Sequence, residues 1–210
     1  PTISFLLVFP HDRTVIRPQA RTNKKNIRRA AMLGKLDATP SLRPLAPLVR
    51  QLYGRQSTFL WTDAGGATHD ILQGEGGEQG DPLMPALFAL GLHDALDSAR
   101  ARLNDDEHLF AYLDDLYVVT TRERALAAFN IVAEEVERHA GVRAHHGKLR
   151  AWCRNTCAAP EGFDRFGEPD KPAWVADLPP ERNGVVVLGT PLGDDAFVAA
   201  HAAERMREEQ

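Results

Sequence analysis

Apolar positions along the chain change their spacing several times. Residues 3–9, "ISFLLVF", are a continuous apolar run that ends at Pro10, the pattern of a buried strand. Residues 10–27 are polar, basic and irregular. Helical spacing runs from about Ile27 to Leu36, and again from Ser41 to Tyr53 with Leu42, Leu45, Val49, Leu52 and Tyr53 on one face. Pro44 and Pro47 suit only a first helical turn, and Gly54 is a natural stop. "STFLWTD" and "ATHDILQ" flank a Gly-Gly pair, which predicts a hairpin. Asp81 and Pro82 then suit the N-cap and first position of a long helix, with Leu83, Leu87, Leu90 and Leu96 on its apolar side. Asn104 to Glu107 breaks that pattern.

The next stretch, "LFAYLDDLYVVT", has the period of two that marks a strand. His108, Phe110 and Tyr112 point one way; Leu109, Ala111 and Leu113 point the other. Leu116 to Thr121 continues as β-branched and aromatic strand, so a hairpin with Asp114 and Asp115 at its tip is predicted. Residues 122–140 read as an amphipathic helix carrying Leu126, Phe129, Val132 and Val136, stopped by Gly141. A strand pair around Val142–Trp152, a long Pro- and Gly-rich loop over 153–183, a strand at "GVVVLGT" and a helix over 195–208 complete the chain. The order predicts an α+β fold with helices packed on an antiparallel sheet.

Composition narrows the class. The chain has 210 residues, 43% hydrophobic and 26% charged, which is globular rather than disordered. The formal charge of −4 hides an asymmetry. Residues 1–55 hold 11 Lys+Arg against 2 Asp+Glu, and the remainder 14 against 27. A basic arm on an acidic body suits a polyanionic partner or a solvated tail. Cys153 and Cys157 are too few for a secreted disulfide framework, and a zinc site built on them has only His145 and His146 near in sequence. No apolar run approaches the length of a membrane span. "ISFLLVF" lacks the basic flank of a signal peptide. The expectation is an intracellular chain, and a start at Pro1 rather than Met reads as a fragment or a processed chain.

Asp114 and Asp115 carry the candidate chemistry. Adjacent carboxylates repel unless a cation lies between them. A divalent ion such as Mg²⁺ prefers carboxylate oxygens and keeps positions open for water and phosphate. Two such ions would stabilise attacking and leaving oxygens in phosphoryl or nucleotidyl transfer, and they need a third, bridging carboxylate from another strand. A paired-carboxylate glycosidase needs its carboxyls several Å apart across a substrate, so neighbours on one turn do not fit. The plain alternative is a solvated turn, since Asp is a common turn residue.

The motif order adds a resemblance. "GEQGDPLMPALFAL", then "YLDD" with Asp114 33 residues after Asp81, then "GVRAHHGKLRAW" and "VVVLGTPLG" resemble the consecutive palm motifs of reverse transcriptases, most closely those of non-LTR (LINE-type) retroelements. The likeness covers roughly Arg28 to Gly193. It implies a polymerase palm with a ferredoxin-like core, fingers and thumb largely absent. Its parts would be a degenerate first motif over 1–27, the palm over 28–152, a loop over 153–183 and a last strand and helix over 184–210. It implies template-directed nucleotidyl transfer (RNA-directed DNA polymerase) with Mg²⁺ or Mn²⁺, on an RNA or DNA template with primer and deoxynucleotides. Asp114 would be a metal ligand and Asp115 would support it. Lys148 would sit near the leaving pyrophosphate. Gln79, Gly80 and Tyr112 would lie against template and nucleotide, and Leu188 and Gly189 on the primer side. Asp81 and Pro82 would start a helix.

The first palm motif departs from the family. Counting back without gaps from "IRRAAML", Gln19 stands at the bridging aspartate and Lys24 at the ribose gate. Gln has one neutral acceptor oxygen and cannot replace a carboxylate between two cations. If residues 13–19 are an insertion, Asp12 at the end of the first strand supplies the carboxylate instead, with Arg17 at the gate position. Two functions follow: a polymerase, or a non-catalytic palm that binds nucleic acid or a cation.

Overall fold

The computed structural model describes residues 13–17, 27–78 and 80–208, with side chains from Ile27 onward. Along the chain these form β1 (Arg13–Arg17), α1 (Arg29–Ala38), α2 (Ala46–Tyr53), β2 (Ser57–Thr62), β3 (Thr68–Gln73), α3 (Met84–Arg102), β4 (His108–Tyr112), β5 (Asp115–Thr121), α4 (Ala125–Ala140), β6 (Arg150–Cys153), β7 (Gly167–Glu168), β8 (Lys171–Pro172), β9 (Gly184–Val187), β10 (Thr190–Gly193) and α5 (Asp195–Glu208). The architecture is α+β with antiparallel sheets, as the alternation of periods predicts.

One four-stranded sheet organises the chain, in the order β4-β5-β1-β6 with every neighbour antiparallel. Its centre includes a segment that reads as irregular in the sequence. "RTVIR" is a strand because Thr14, Val15 and Ile16 favour extended backbone, and pairing on both sides outweighs the two charges at its ends. Arg13 pairs with Thr121 and Ile16 with Val118, while Arg17 pairs with Arg150 of β6. Helices α3 and α4 pack against each other and against the sheet. Leu109, Leu116, Val118 and Ala151 join Phe88, Leu92, Phe129 and Val132 in one buried core. On β4 Leu109 is buried and His108, Phe110 and Tyr112 are exposed as expected, but Ala111 and Leu113, expected on the inward side, are exposed too, so burial on this strand ends at Leu109. Gly141 ends α4 with φ 71°, a left-handed cap that suits glycine.

Several boundaries move for identifiable reasons. α3 starts at Met84 rather than beside Asp81, because Asp81 Oδ1 accepts the N–H of Leu83 at 2.8 Å and closes a side-chain turn first. α2 buries Ala46, Val49 and Tyr53, while Leu45 and Leu52 of the expected apolar face stay exposed. The expected strand pair over Val142–Trp152 is β6 alone, since its partners are β1 and a later segment. That segment lies within 153–183, which is largely irregular as expected, with the two-residue strands β7 and β8 inside it, yet sends several side chains inward. The Ala151 N–H donates to Ala173 at 2.6 Å and the Val175 N–H to Ala151 at 3.0 Å. Phe163, Phe166 and Trp174 are buried and meet edge to face, with Phe166 5.3 Å from Phe129 of α4. Each ring so buried contributes about 1.5–3 kcal/mol, ample reason for a Pro- and Gly-rich stretch to fold inward.

The β2–β3 hairpin forms as predicted. Asp63 fastens its turn, accepting the N–H groups of Gly65 and Ala67 at 2.9 and 3.0 Å. Among the described residues no helix is long and apolar enough to cross a membrane. The expected strand over residues 3–9 lies outside the described residues.

Candidate functional site

The aspartate hairpin closes one residue earlier than its sequence suggests. Tyr112 pairs with Asp115, so the turn is Leu113–Asp114 and Asp115 already belongs to β5. Leu113 has φ 51°. Two-residue hairpins need positive φ in the turn to match strand twist. A left-handed leucine costs about 1–2 kcal/mol, and the pairing on either side holds it there. The strained residue is the one immediately before Asp114.

Asp114 and Asp115 are both half-buried. The buried Tyr117 hydroxyl donates to Asp115 Oδ2 at 3.3 Å from two residues along the same face. Among the described residues nothing donates to or pairs with Asp114. Beside the turn Tyr112 is 58% exposed and Phe110 51%, so aromatic faces border the carboxylates.

The register decides what else shares this end of the sheet. Carried one residue past Ile16–Val118, it sets Arg17 level with Tyr117, two residues short of Asp115. β1 therefore runs towards the aspartates. Arg13, at its other end, pairs with Thr121, about 20 Å along β5 from Asp115. Lys148 closes a short 3₁₀ turn, His146–Lys148, two residues before Arg150. Arg150 pairs with Arg17, so Lys148 enters the sheet at the aspartate end, with β6 about 10 Å from β5. Asp114, Asp115, Tyr112 and Lys148 thus lie at one end of the sheet, with Tyr112 on the edge strand β4 and Lys148 beside the opposite edge strand β6.

Other predicted residues sit elsewhere or outside the description. Gly80 has φ 96°, and a Cβ there would meet nothing within 4 Å among the described residues. Its glycine is required by backbone conformation, with open space for an approaching ligand. Asp81 is tied down: Tyr53 donates its hydroxyl to Oδ2, and burial together with that carboxylate pushes the Tyr53 phenol up to about 12. Leu188 (φ 46°) and Gly189 (φ 86°) are the two-residue turn of the β9–β10 hairpin, with Leu188 exposed. Asp12, Gln19, Lys24 and Gln79 lie outside the described residues. The Asp12 reading sets residues 13–19 aside as an insertion, and residues 13–17 of that stretch are the central strand.

Two polar anchors had no signal in the sequence. Arg29 is buried and donates to Gly76 O at 2.8 Å, Ser57 Oγ at 2.9 Å and the Arg55 carbonyl, while its guanidinium lies 5.3 Å over the Tyr53 ring. It holds the base of the β2–β3 hairpin and the approach to Gly80. Glu107, at the far end of the sheet, accepts from Arg124 Nε and Nη2 at 3.1 and 3.0 Å, from Thr120 Oγ1 at 2.5 Å and from the Asn104 N–H at 2.8 Å. A buried Arg or Glu is recognisable in advance only through its partners, and these come from distant positions.

Asp114 and Asp115 fit one Mg²⁺ or Mn²⁺, which takes one or two carboxylates and fills its sphere with water and substrate phosphate. A second ion would need a bridging carboxylate from another strand. Among the described residues no third His, Cys, Asp or Glu gathers with any such pair, Cys153 and Cys157 with His145 and His146 included. No family model matches this chain, and no curated protein matches it.

Proposed function

We propose that this chain is a palm of the reverse-transcriptase (RNA-directed DNA polymerase) type. Its Asp114–Asp115 pair holds a single divalent cation against the phosphates of a nucleotide or a primed template, and it binds these without polymerising. The order of the "QGDP", "YLDD", "GK" and "LG" motifs supports the family. So does the path β1, α3, β4–β5, α4, β6 with sheet order β4-β5-β1-β6, the ferredoxin-like arrangement that a palm requires.

The observation that carries the non-catalytic part is the direction of β1. The strand beside β5 leaves the sheet towards Asp115, and the residues that follow it, "PQARTNKKN", contain no carboxylate. A cation bound at the turn would neutralise phosphate charge. Asp114 and Asp115 supply its protein ligands, and Lys148 adds positive charge at the same end of the sheet. Tyr112 offers a ring face to a base. Gln79 and Gly80 would meet template and nucleotide, and Leu188 and Gly189 the primer side. A second reading, template-directed nucleotidyl transfer by this chain, is favoured by the arrival of Lys148 at the aspartate end of the sheet.

Primer extension on an RNA template with Mg²⁺ tests both, read beside Mn²⁺ binding by electron paramagnetic resonance. The expected result is Mn²⁺ binding that is lost in Asp114→Ala, with no extension by either protein. Extension by the wild-type chain that vanishes in Asp114→Ala would overturn the non-catalytic reading and establish the polymerase.

A further inference from the structure

We propose that Cys153 and Cys157 are an oxidation site, a folded dithiol that a low-molecular-weight disulfide converts to an intrachain disulfide. The proposal is independent of the metal site. Both cysteines are free, and their sulfurs lie 2.7 Å apart. That is inside ordinary van der Waals separation, so closing the bond asks for a shift of under about 1 Å.

The surroundings place the two thiols differently. Cys153 is the last residue of β6, pairs with Thr14 of β1, and is buried. Cys157 is partly exposed. Burial and the neighbouring Cys157 thiol push the Cys153 thiol up to about 12, so it is the poorer first nucleophile. Cys157 as thiolate attacks the added disulfide, forms a mixed disulfide and expels one thiol. Cys153 then loses its proton to solvent, displaces the second thiol from Cys157 and closes the intrachain bond. One molecule of the added disulfide is reduced to two thiols as two cysteine thiols are oxidised, so two electrons and two protons are transferred.

The cross-link has something to hold. The Cys157 carbonyl accepts the Trp174 indole N–H at 2.8 Å, and the Ala158 carbonyl accepts Arg122 Nη1 at 3.1 Å. The bridge would therefore pin to β6 a segment that already anchors a buried tryptophan and the end of β5.

The experiment equilibrates the whole chain with glutathione buffers of graded ratio, quenches with acid and counts thiols. Arg154 lies between the cysteines, so trypsin separates them. The oxidised form gives Ala151–Arg154 and Asn155–Arg165 as one linked peptide pair, two hydrogens lighter than the separate peptides. The expected result is a monomer with both thiols lost together, and an effective concentration at least about tenfold higher in the folded chain than in the same chain in 6 M guanidinium. Cys157→Ser should leave Cys153 unreactive in the folded state. Three outcomes would overturn the proposal: thiols that persist in excess oxidised glutathione, products that are only mixed or intermolecular disulfides, or equal effective concentrations in folded and unfolded chain.

Discussion

The β4–β5 hairpin has carboxylates at both of its ends, and the two ends are built oppositely. At one, Glu107 is buried and every oxygen is occupied by Arg124, Thr120 or the Asn104 N–H. At the other, Asp114 and Asp115 are half-buried on a turn that forces Leu113 into a left-handed conformation, and Asp114 receives no donor among the described residues. Both groups lie next to the same strand, β5. The difference separates a charge that completes a fold from charges that the fold merely holds in place. A satisfied carboxylate stabilises through its hydrogen bonds. At the turn Asp115 accepts the Tyr117 hydroxyl, while Asp114 receives no donor among the described residues.

Removing Glu107 should have the largest effect. Glu107→Ala strands the Arg124 guanidinium, the Thr120 hydroxyl and a backbone N–H. Breaking a fully buried pair costs about 3–5 kcal/mol. The Arg124 side chain is 36% exposed and can recover water, so about 2–3 kcal/mol is expected, read as a drop in the urea midpoint at constant slope. A loss under about 0.5 kcal/mol would erase the contrast between the two ends.

Acid sharpens it next. Burial acts to raise the Glu107 carboxyl, but the hydrogen bonds from Arg124, Asn104 and Thr120 outweigh it and hold the group below its ordinary 4.5. Glu135 behaves alike: burial raises it, while Arg138 and Arg102 lower it further. With native values depressed, the stability from both carboxylates is complete above about pH 4.5 and is lost as pH falls through the native values. Denaturant midpoints should therefore fall below about pH 4.5, and Glu107→Gln should flatten that limb. An unchanged acid limb in Glu107→Gln would locate the sensitivity elsewhere.

Smaller changes probe the turns. Leu113 and Leu188 hold positive φ in two separate hairpins. Leu188→Asn should stabilise by about 0.5–1 kcal/mol, since Asn tolerates the left-handed region. Leu113→Gly should gain less, about 0.5 kcal/mol, because glycine loses more freedom on folding. Thermal melts compare them, and a loss in either would mean that the leucine side chain holds its hairpin. The smallest effect belongs to Asp114→Asn. Its melting temperature in chelator should stay within about 1 °C of wild type or rise slightly as like charges are separated, and only the wild type should gain stability on adding Mn²⁺.

Much of the architecture is legible in residue order. The period-two run of β4, the amphipathic spacing of α4 with its Gly141 stop, and the Gly-Gly hairpin each follow from local chemistry. β1 escaped because its end arginines disguise a β-branched strand, and only pairing with β5 and β6 reveals it. The inward packing of the 153–183 stretch escaped because its aromatics find partners on α4 and among themselves, not among immediate neighbours. Of the candidate site, the dipeptide Asp114–Asp115 stands out at once. The strain on Leu113 and the shift of Asp115 into β5 do not, since register is a property of two strands together.

By itself the sequence determined which chemistry this chain can attempt: two adjacent carboxylates on a hairpin, a lysine downstream, and no acidic residue between Arg13 and Asn26. Such facts need no folding, because side-chain type fixes charge and donor capacity. Only the tertiary structure decided which strand stands beside the aspartates, which way it runs, and that Lys148 lies at the same end of the sheet while Glu107 is bound by Arg124. Sheet order and direction are set by the burial of both faces at once, and that choice is made by the whole chain rather than by any segment of it.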